Sequence, residues 1–395
     1  MRRLVWVAVI LAQLVLVFRD LHLWSNYPSK SLIQTTTQHL HFNPENHNNT
    51  IGRASAKLTL LDTSYVPNHL YMTTQVQKKK LAIVIPFIDS QIELLKFQLS
   101  CVWEQFPPCF CFSDIEQVDL ILFFSGSVRF KGNMLFLEFL REVDFNSFSW
   151  RHCFEDIYLM SAELPSECDT HPEGTCIMFY QIFPTLENNY LYFQIIEPDV
   201  TPFRHDLAWL QEVVAMTRDH NDFWVKGSVS ACPSGMKPHF RTFCIQYSIG
   251  TAWIDYHING NALYKLGDRD FDVYLQRVQK RYVRKRNGKT VQGCSGTFYG
   301  GYDVSIFQYL YSSHTFEEWE YIQSVLHHFS YDTAILNYCN FPLRIEEIQS
   351  KYPNTVMIHS KWYALKRKYD SNFNCNKEHT ICHSLKACSS KVSIR

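Results

Sequence analysis

The chain has 395 residues, 46% of them hydrophobic and 15% aromatic, and its 38 basic side chains balance 38 acidic ones. At ~150 residues per domain, this length allows two or three domains or one large α/β domain with appendages. The apolar content excludes a disordered chain, and 14 glycines and 15 prolines exclude a collagen-like one. The balanced charge argues against a protein that coats nucleic acid, so we expect no nucleic-acid partner.

The N-terminal residues 1–24 combine a basic flank with a short apolar run. Arg2 and Arg3 precede an uncharged stretch, Leu4–Phe18, and Arg19 ends it. This pattern has two interpretations, a cleaved signal peptide and a type II signal anchor. We favour the anchor because no small-x-small cleavage site follows Phe18. A run shorter than the usual ~20 residues suits the thinner membranes of the endoplasmic reticulum or Golgi apparatus.

The next segment, 25–77, is polar and rich in Asn, Thr, Ser, His and Gln, which predicts a flexible luminal stem. Asn48 begins an Asn-Asn-Thr sequon and is a candidate glycosylation site if the stem is luminal. Thirteen cysteines are many for a cytosolic protein, and we expect disulfides. Cys168 and Cys176 flank a polar loop and are a candidate pair.

The segment 78–365 carries the pattern of a folded α/β domain, before a Cys-containing polar tail at 366–395. A continuous apolar run over 81–87 and predominantly apolar runs over 118–124 and 190–196 predict buried parallel strands. A helical pattern between the first two makes a right-handed βαβ unit. Further predicted elements are helices over 90–105, 176–187 and 205–218, and strands at 223–225 and 356–359.

Several common catalytic motifs are missing from the sequence. It has no Gly-x-Gly-x-x-Gly, no phosphate-binding Gly-Lys-Ser/Thr loop and no Gly-x-Ser-x-Gly, which weakens a hydrolase interpretation. Residues 277–289 hold seven Lys or Arg, which is typical of a solvated helix face followed by a turn. The alternative is a basic loop that closes over a nucleotide diphosphate.

Two carboxylates, Glu197 and Asp199, directly follow the third apolar run. In open α/β sheets, ligands collect at the carboxyl ends of the strands. Carboxylates spaced i and i+2 on a turning chain can face one hard cation, and Mg²⁺ or Mn²⁺ bridges such oxygens to substrate phosphates. The alternative is a plain turn with solvated acids.

At this motif the chain resembles the GT-A-type glycosyltransferases of the secretory pathway, whose signature is Asp-x-Asp after a hydrophobic strand. Here Glu197-Pro198-Asp199 departs from it at the first position. The resemblance covers roughly 78–362. It implies a GT-A-like, Rossmann-like, mostly parallel sheet flanked by helices on an N-terminal anchor and stem. It also implies Mn²⁺ or Mg²⁺, a nucleotide-diphosphate sugar donor, and a glycan or glycoprotein acceptor.

The resemblance also implies roles for residues outside the acidic motif. His359, at the end of a late apolar run, would be a third metal ligand, and Lys361 would contact the diphosphate. Taken alone, His359 is equally a strand-end histidine bound to a backbone carbonyl. Pro86 and Ser125, near the ends of the first two predicted strands, and Arg204 are further candidate contacts of the nucleotide sugar.

Candidate acceptor-binding residues lie between these motifs, in two short segments rich in aromatic and amide side chains. They are Trp224, Lys226, Trp253, Asp255, His257, Asn259 and Asn261. Aromatic faces combined with Asn and Asp hydrogen bonds suit a saccharide. A turn with Asn259-Gly260 at its tip explains part of the pattern equally well.

Asp332 is the candidate catalytic residue, as a general base for the acceptor hydroxyl in an inverting transfer. We expect it to open an apolar helix, where a simple capping role is the alternative. Asp303 and Glu317 are rivals, and a retaining enzyme needs no such base.

The sequence therefore predicts a metal-assisted glycosyltransferase. A non-catalytic luminal glycan-binding protein with a degenerate transferase fold, or a metal-dependent phosphohydrolase, is the alternative.

Overall fold

The structure is a computed structural model. It describes residues 59–60, 79–110, 118–126, 138–139, 141–166, 168–169, 173–218, 222–229, 257–284, 297–298, 301–311, 315–338, 345–360, 363–364 and 367–368. The predicted anchor at 1–24 and Asn48 lie outside these residues, as do nearly all of the stem and the tail. Within the described ranges, no helix is long and apolar enough to cross a bilayer.

The described part of the chain alternates strands and helices. The strands are β1 (Thr59–Leu60), β2 (Lys79–Phe87), β3 (Val118–Gly126), β4 (Ile157–Leu164), β5 (Tyr190–Ile195), β6 (Val200–Pro202), β7 (Val225–Gly227), β8 (Leu263–Lys265), β9 (Val283–Arg284), β10 (Thr297–Phe298), β11 (Phe329–Tyr331), β12 (Ile335–Asn337) and β13 (Met357–His359). The helices are α1 (Ile92–Phe97), α2 (Trp103–Gln105), α3 (Glu173–Leu186), α4 (Trp209–Met216), α5 (Arg269–Tyr282), α6 (Tyr302–Tyr311), α7 (Phe316–Val325) and α8 (Ile345–Lys351).

The main sheet has eight strands in the order β1-β4-β3-β2-β5-β8-β7-β11. The first five are parallel neighbours, β8 is antiparallel to both β5 and β7, and β11 is parallel to β7. The prediction of a mixed α/β fold with a mostly parallel sheet is confirmed. So is the βαβ unit of β2 and β3.

Strand β2 explains why the central strands read as unbroken apolar runs. Leu81, Ile83 and Ile85 belong to one hydrophobic core, and Ala82 and Val84 to the other. Successive side chains of a strand point to opposite faces of the sheet. Both faces of β2 are therefore covered from Leu81 onward, which favours apolar residues at these positions.

A second sheet of three strands combines the last two strands of the described chain with β6. Its order is β12-β13-β6, with β13 parallel to β12 and antiparallel to β6. Its register sets His359 opposite Asn337 on one side and opposite Val200 on the other. Phe203, Leu336 and Ile358 form a small separate core there. This sheet holds β12 and β13 against β6, the strand that follows β5 in the sequence.

One local prediction is wrong and another is confirmed with a local irregularity. The helix expected to open at Asp332 is instead a short turn and strand β12, because the Ala334 N–H donates to Asp332 Oδ1 over 2.7 Å and β12 pairs with β13. The helix expected over 90–105 is confirmed, because this whole range is helical, with a π-helical stretch at Gln98–Val102 between α1 and α2.

The cysteines are arranged differently from the expected pair. Cys168 is disulfide-bonded, whereas Cys176 keeps a buried thiol and so is not its partner. Cys109 and Cys153 form a disulfide. His152 Nε2 lies 3.5 Å from Cys109 Sγ. Because the sulfurs of Cys109 and Cys153 are bonded to each other, they are not thiolates and do not form a metal site with His152.

Candidate functional site

Glu197 and Asp199 lie in a tight turn between β5 and β6. The Val200 N–H donates to the Glu197 carbonyl over 2.9 Å, which closes a four-residue turn with Pro198 at its second position. Proline favours that position because its ring fixes φ at the value the turn requires. The turn therefore projects two acids from the carboxyl end of a buried parallel strand.

His359 reaches the same place from the end of β13. Its Nε2 lies 3.1 Å from Glu197 Oε2 and 3.4 Å from Asp199 Oδ1. One ligand atom from each of the three residues lies within 4.8 Å of the others. The pairing of β13 with β6, which sets His359 opposite Val200, accounts for this convergence. The structure thus brings together the three residues that the sequence offered as metal ligands.

The three residues fit a divalent cation in chemistry and spacing. Two carboxylates and an imidazole are a suitable donor set for Mn²⁺ and acceptable for Mg²⁺. Neighbouring ligands of an octahedral ion with bonds of ~2.1 Å lie about 3 Å apart, close to the 3.1 and 3.4 Å seen here. The side chains of Glu197, Asp199 and His359 are 32%, 15% and 19% exposed, so the cluster is open on one side.

The two acids change the protonation of His359. Burial acts to lower its pKa, but the charge of Asp199 and the hydrogen bonds to Asp199 and Glu197 outweigh this and raise the pKa well above its ordinary value. Without a bound cation, the imidazole is therefore positively charged over a wider pH range. A cation that binds here must displace the proton on Nε2.

Asn261 fixes Glu197 from two directions. Its side-chain carbonyl accepts the Glu197 backbone N–H over 2.7 Å, and its amide group donates to Glu197 Oε2 over 2.9 Å. The same amide group donates to Asn259 Oδ1 over 2.8 Å. Asn261 is 3% exposed, so its bonds are shielded from water. The rotamer of Glu197 is consequently set by a loop that is distant in sequence.

A buried acid–base pair supports that loop. The Gly260 N–H donates to Asp303 Oδ2 over 3.0 Å, and His257 Nε2 lies 3.3 Å from the same oxygen. Burial acts to raise the pKa of Asp303, but His257 and the backbone N–H groups hold it below its ordinary value. A Cβ at Gly260 would collide with the Tyr302 hydroxyl, so only glycine fits this approach.

A cavity of about 50 Å³ lies beside Glu197. Pro86, Phe179 and Tyr302 are among its lining residues, and the last two rings stack with centroids 4.0 Å apart. At ~10–15 Å³ per water, the cavity holds a few water molecules. Pro86, a predicted nucleotide-sugar contact, therefore lies next to the acidic cluster.

The other two predicted nucleotide-sugar contacts in the described residues bind protein groups. The Ser125 hydroxyl donates to Asp169 Oδ2 over 2.9 Å, and Ser125 is fully buried. Arg204 Nε donates to Asp206 Oδ1 over 3.0 Å, and Nη1 donates to the Pro353 carbonyl. Both side chains are held by these partners rather than directed at an open site. Lys361 lies outside the described residues.

The predicted acceptor residues divide into three groups. Asn259 and Asn261 lie at the cluster, as described above. Trp224 is 1% exposed and stacked between Phe271 and His328, which leaves neither ring face for a sugar and assigns it to the core. His257 is also buried, against Asp303. Trp253 and Asp255 lie outside the described residues.

Lys226 and Asp332 are neighbours at the ends of β7 and β11. Lys226 is 5% exposed, and its Nζ lies 3.3 Å from the Met216 carbonyl and 4.0 Å from Asp332 Oδ2. The Asp332 side chain is 25% exposed. Its Oδ1 accepts the Ala334 N–H, so Oδ2 is the oxygen that faces the lysine.

No pattern in the sequence points to Asn337 as a functional residue. Its side-chain Oδ1 lies 2.9 Å from His359 Nδ1. The two residues are 22 positions apart and meet only through the register of β12 and β13. A lone asparagine before a tyrosine carries no motif, so only the three-dimensional structure identifies this contact.

No family model and no curated protein matches this chain. Among solved structures, it is similar to the galactosyltransferase LgtC in complex with donor and acceptor sugar analogues, with 12% identity, a TM-score of 0.36, and coverage of 80% of this chain and 97% of that one. It is also similar to the apo structure of the bifunctional glycosyltransferase WbbM, with 12% identity, a TM-score of 0.38, and coverage of 72% of this chain and 46% of that one. A third similar structure is mouse xyloside xylosyltransferase 1 in its apo form, with 8% identity, a TM-score of 0.39, and coverage of 73% of this chain and 99% of that one. Similarities at these TM-scores carry no weight for the activity of this chain.

Proposed function

We propose that this protein is a glycosyltransferase that moves a sugar from a nucleotide-diphosphate sugar to a glycan or protein acceptor with the help of a divalent cation. The observation that carries the proposal is the convergence of Glu197, Asp199 and His359 at the carboxyl end of β5. That edge of a parallel sheet is where α/β folds bind their ligands.

Glu197, Asp199 and His359 would hold Mn²⁺ or Mg²⁺. A bound cation of this kind neutralises the charge that develops on a departing diphosphate. Three protein ligands leave further positions for phosphate oxygens, and the cluster is open on one side. Asn261 and the loop below it keep Glu197 in place while substrate enters.

Asp332 is our candidate general base for an inverting transfer. Strand β8 is antiparallel to both β5 and β7, so β5, β7 and β11 all run in the same direction. Glu197 follows β5 and Asp332 follows β11, which sets both carboxylates at one edge of the sheet. The Asp332 side chain is partly exposed, and the backbone hydrogen bond from Ala334 occupies Oδ1 rather than Oδ2.

The proposed compartment is the lumen of the Golgi apparatus or endoplasmic reticulum, with residues 1–24 as a type II membrane anchor. The Cys109–Cys153 disulfide supports an oxidising compartment. Glycosylation of Asn48 would report the same orientation, because the modification occurs only in the lumen.

A panel of UDP- and GDP-sugars assayed for nucleoside diphosphate release tests the proposal. We expect one donor to be turned over with Mn²⁺ and not with EDTA, and we expect Asp199→Asn to abolish release. Asp270→Asn, an exposed acid in the first turn of α5, is the matched control and should keep full activity.

Three results would contradict the proposal. Release that is unaffected by Asp199→Asn would separate the activity from the acidic cluster. Glycan binding without turnover would indicate the binding-protein alternative. Phosphate release from a nucleotide without a sugar would indicate a phosphohydrolase.

A further inference from the structure

The second nitrogen of His359 has a partner of fixed polarity. Nε2 faces the two acids, and Nδ1 lies 2.9 Å from Asn337 Oδ1. An amide oxygen only accepts hydrogen bonds, so Nδ1 must donate its proton to it. We propose that Asn337 is a positioning residue that keeps the proton of His359 on Nδ1 and thereby presents the Nε2 lone pair to a divalent cation. This inference rests on the metal site of the proposed function.

The tautomer decides whether His359 can be a ligand at all. A neutral imidazole has one N–H, and only the other nitrogen has a lone pair for a metal. With the proton on Nε2, the ring would donate to Glu197 or Asp199 and could not bind the cation between them. An acceptor at Nδ1 removes that arrangement, and such outer partners orient metal-bound histidines in other proteins.

Asn337 is itself held rigidly. Its backbone N–H donates to Ser228 Oγ over 2.8 Å, and the same hydroxyl donates to the Ile335 carbonyl over 2.8 Å. Ser228 is 2% exposed, so these bonds are protected from water. On the other side, the Tyr338 N–H donates to the His359 carbonyl over 3.0 Å. The backbone at Asn337 is thus fixed relative to the ring that its side chain contacts.

Local structure gives no other reason for an amide at this position. Asparagine has a low preference for strands, and Asn337 is half-buried in β12. A polar side chain in such a place is unfavourable unless it is hydrogen-bonded. Leucine has the same branched skeleton of four heavy atoms and suits the neighbouring apolar positions, so the hydrogen bond to His359 is the feature that distinguishes the two side chains.

The test is Mn²⁺ binding to the full-length protein without any sugar donor, measured by calorimetry or by the electron paramagnetic resonance of the free ion. We expect Asn337→Leu to weaken Mn²⁺ binding about 10–100-fold, as losses of such partners do. Asn337→Asp keeps an acceptor oxygen and should bind Mn²⁺ within about threefold of the wild type or more tightly. Asn188→Leu, in the exposed turn after α3, is the matched control and should bind normally.

Selectivity separates loss of the imidazole ligand from a general disturbance. Mg²⁺ depends on the carboxylates more than on the imidazole, so its affinity should fall less than that for Mn²⁺ in Asn337→Leu. His359→Ala should show the same pattern. Equal Mn²⁺ binding by the wild type and Asn337→Leu would overturn the inference, and so would an equal loss in Asn337→Asp.

Three further outcomes are decisive. If Asn337→Leu does not fold, the Asp variant decides, because retained Mn²⁺ binding supports the inference and lost binding refutes it. A wild-type protein that binds no Mn²⁺ would overturn both the metal site and this inference. A protein that binds Mn²⁺ with the expected variant pattern but transfers no sugar would leave the inference standing and refute only the transferase.

Discussion

Replacing Asn261 with alanine tests whether Glu197 is held by its loop partner or by its own turn. The change removes three hydrogen bonds, to the Glu197 N–H, to Glu197 Oε2 and to Asn259 Oδ1. Alanine introduces no polar group and no larger apolar surface that would compensate for them. We expect both the stability of the fold and the affinity for Mn²⁺ to fall.

The expected size follows from the burial of each group. The Glu197 N–H would lose its acceptor at a cost of ~1–3 kcal/mol. The bond to Asn259 is between neutral groups and contributes ~0.5–1.5 kcal/mol. The bond to the carboxylate contributes little more, because Glu197 is 32% exposed and water replaces the lost donor. The sum is about 3 kcal/mol, which lowers Tm by ~6–12 °C at ~2–4 °C per kcal/mol.

Thermal unfolding of the metal-free Asn261→Ala protein measures the loss of stability, and Mn²⁺ titration measures the loss of metal affinity. We expect affinity to fall ~10–100-fold, because Glu197 would no longer be fixed in one rotamer. The exposed variant Asn188→Ala is the control for an asparagine-to-alanine change. A Tm within 2 °C of the wild type together with unchanged Mn²⁺ affinity would show that the Glu-Pro-Asp turn alone positions Glu197.

Three more predictions concern His359, Trp224 and Gly260. The pKa of His359 is raised in the folded protein above the ordinary 6.5, so its contribution to metal-free stability is complete below about pH 6.5 and is lost as the pH rises through the folded pKa. His359→Asn should flatten this part of a Tm-versus-pH curve, and an unchanged curve would contradict the raised pKa. Trp224→Ala should destabilise the fold by ~3–5 kcal/mol in a denaturation experiment, because the ring is buried. If stability were kept and only acceptor KM rose, the core assignment would fail. Gly260→Ala should lower both Tm and Mn²⁺ affinity because its Cβ meets the Tyr302 hydroxyl, and normal values for both would show that the loop can shift.

The central part of the fold could be predicted because its signal is local. Strands β2, β3 and β5 are predominantly apolar runs, and a run of that kind has few alternatives once turn residues bound it. The turn that carries Glu197 and Asp199 could also be predicted, because two carboxylates flank a proline at the end of such a run. These features need no knowledge of what the segments contact.

The missed elements depend on distant partners. Strands β8 and β12 have three residues each, too few to show a period of two. The apolar residues after Asp332 fit a helix as well as a strand, and the pairing of β12 with β13 decides between them. Asn261 contacts Glu197, which is 64 residues away in the sequence, and Asn337 contacts His359, which is 22 residues away. No pattern in one sequence encodes such contacts.

Asn337 also explains how the cluster of Glu197, Asp199 and His359 can be stable both with and without a cation. In the metal-free protein, the charged ring of His359 lies between Glu197 and Asp199 and supplies the positive charge that the acids require. Loss of the Nε2 proton leaves the other proton on His359 Nδ1, where it is donated to Asn337 Oδ1, so the ring need not rotate to become a ligand. Because the proton and the cation compete for Nε2, Mn²⁺ affinity should rise with pH until the imidazole is neutral. His359→Ala should remove this part of the pH dependence, and a Mn²⁺ affinity that does not change with pH in the wild type would show that His359 is not a ligand.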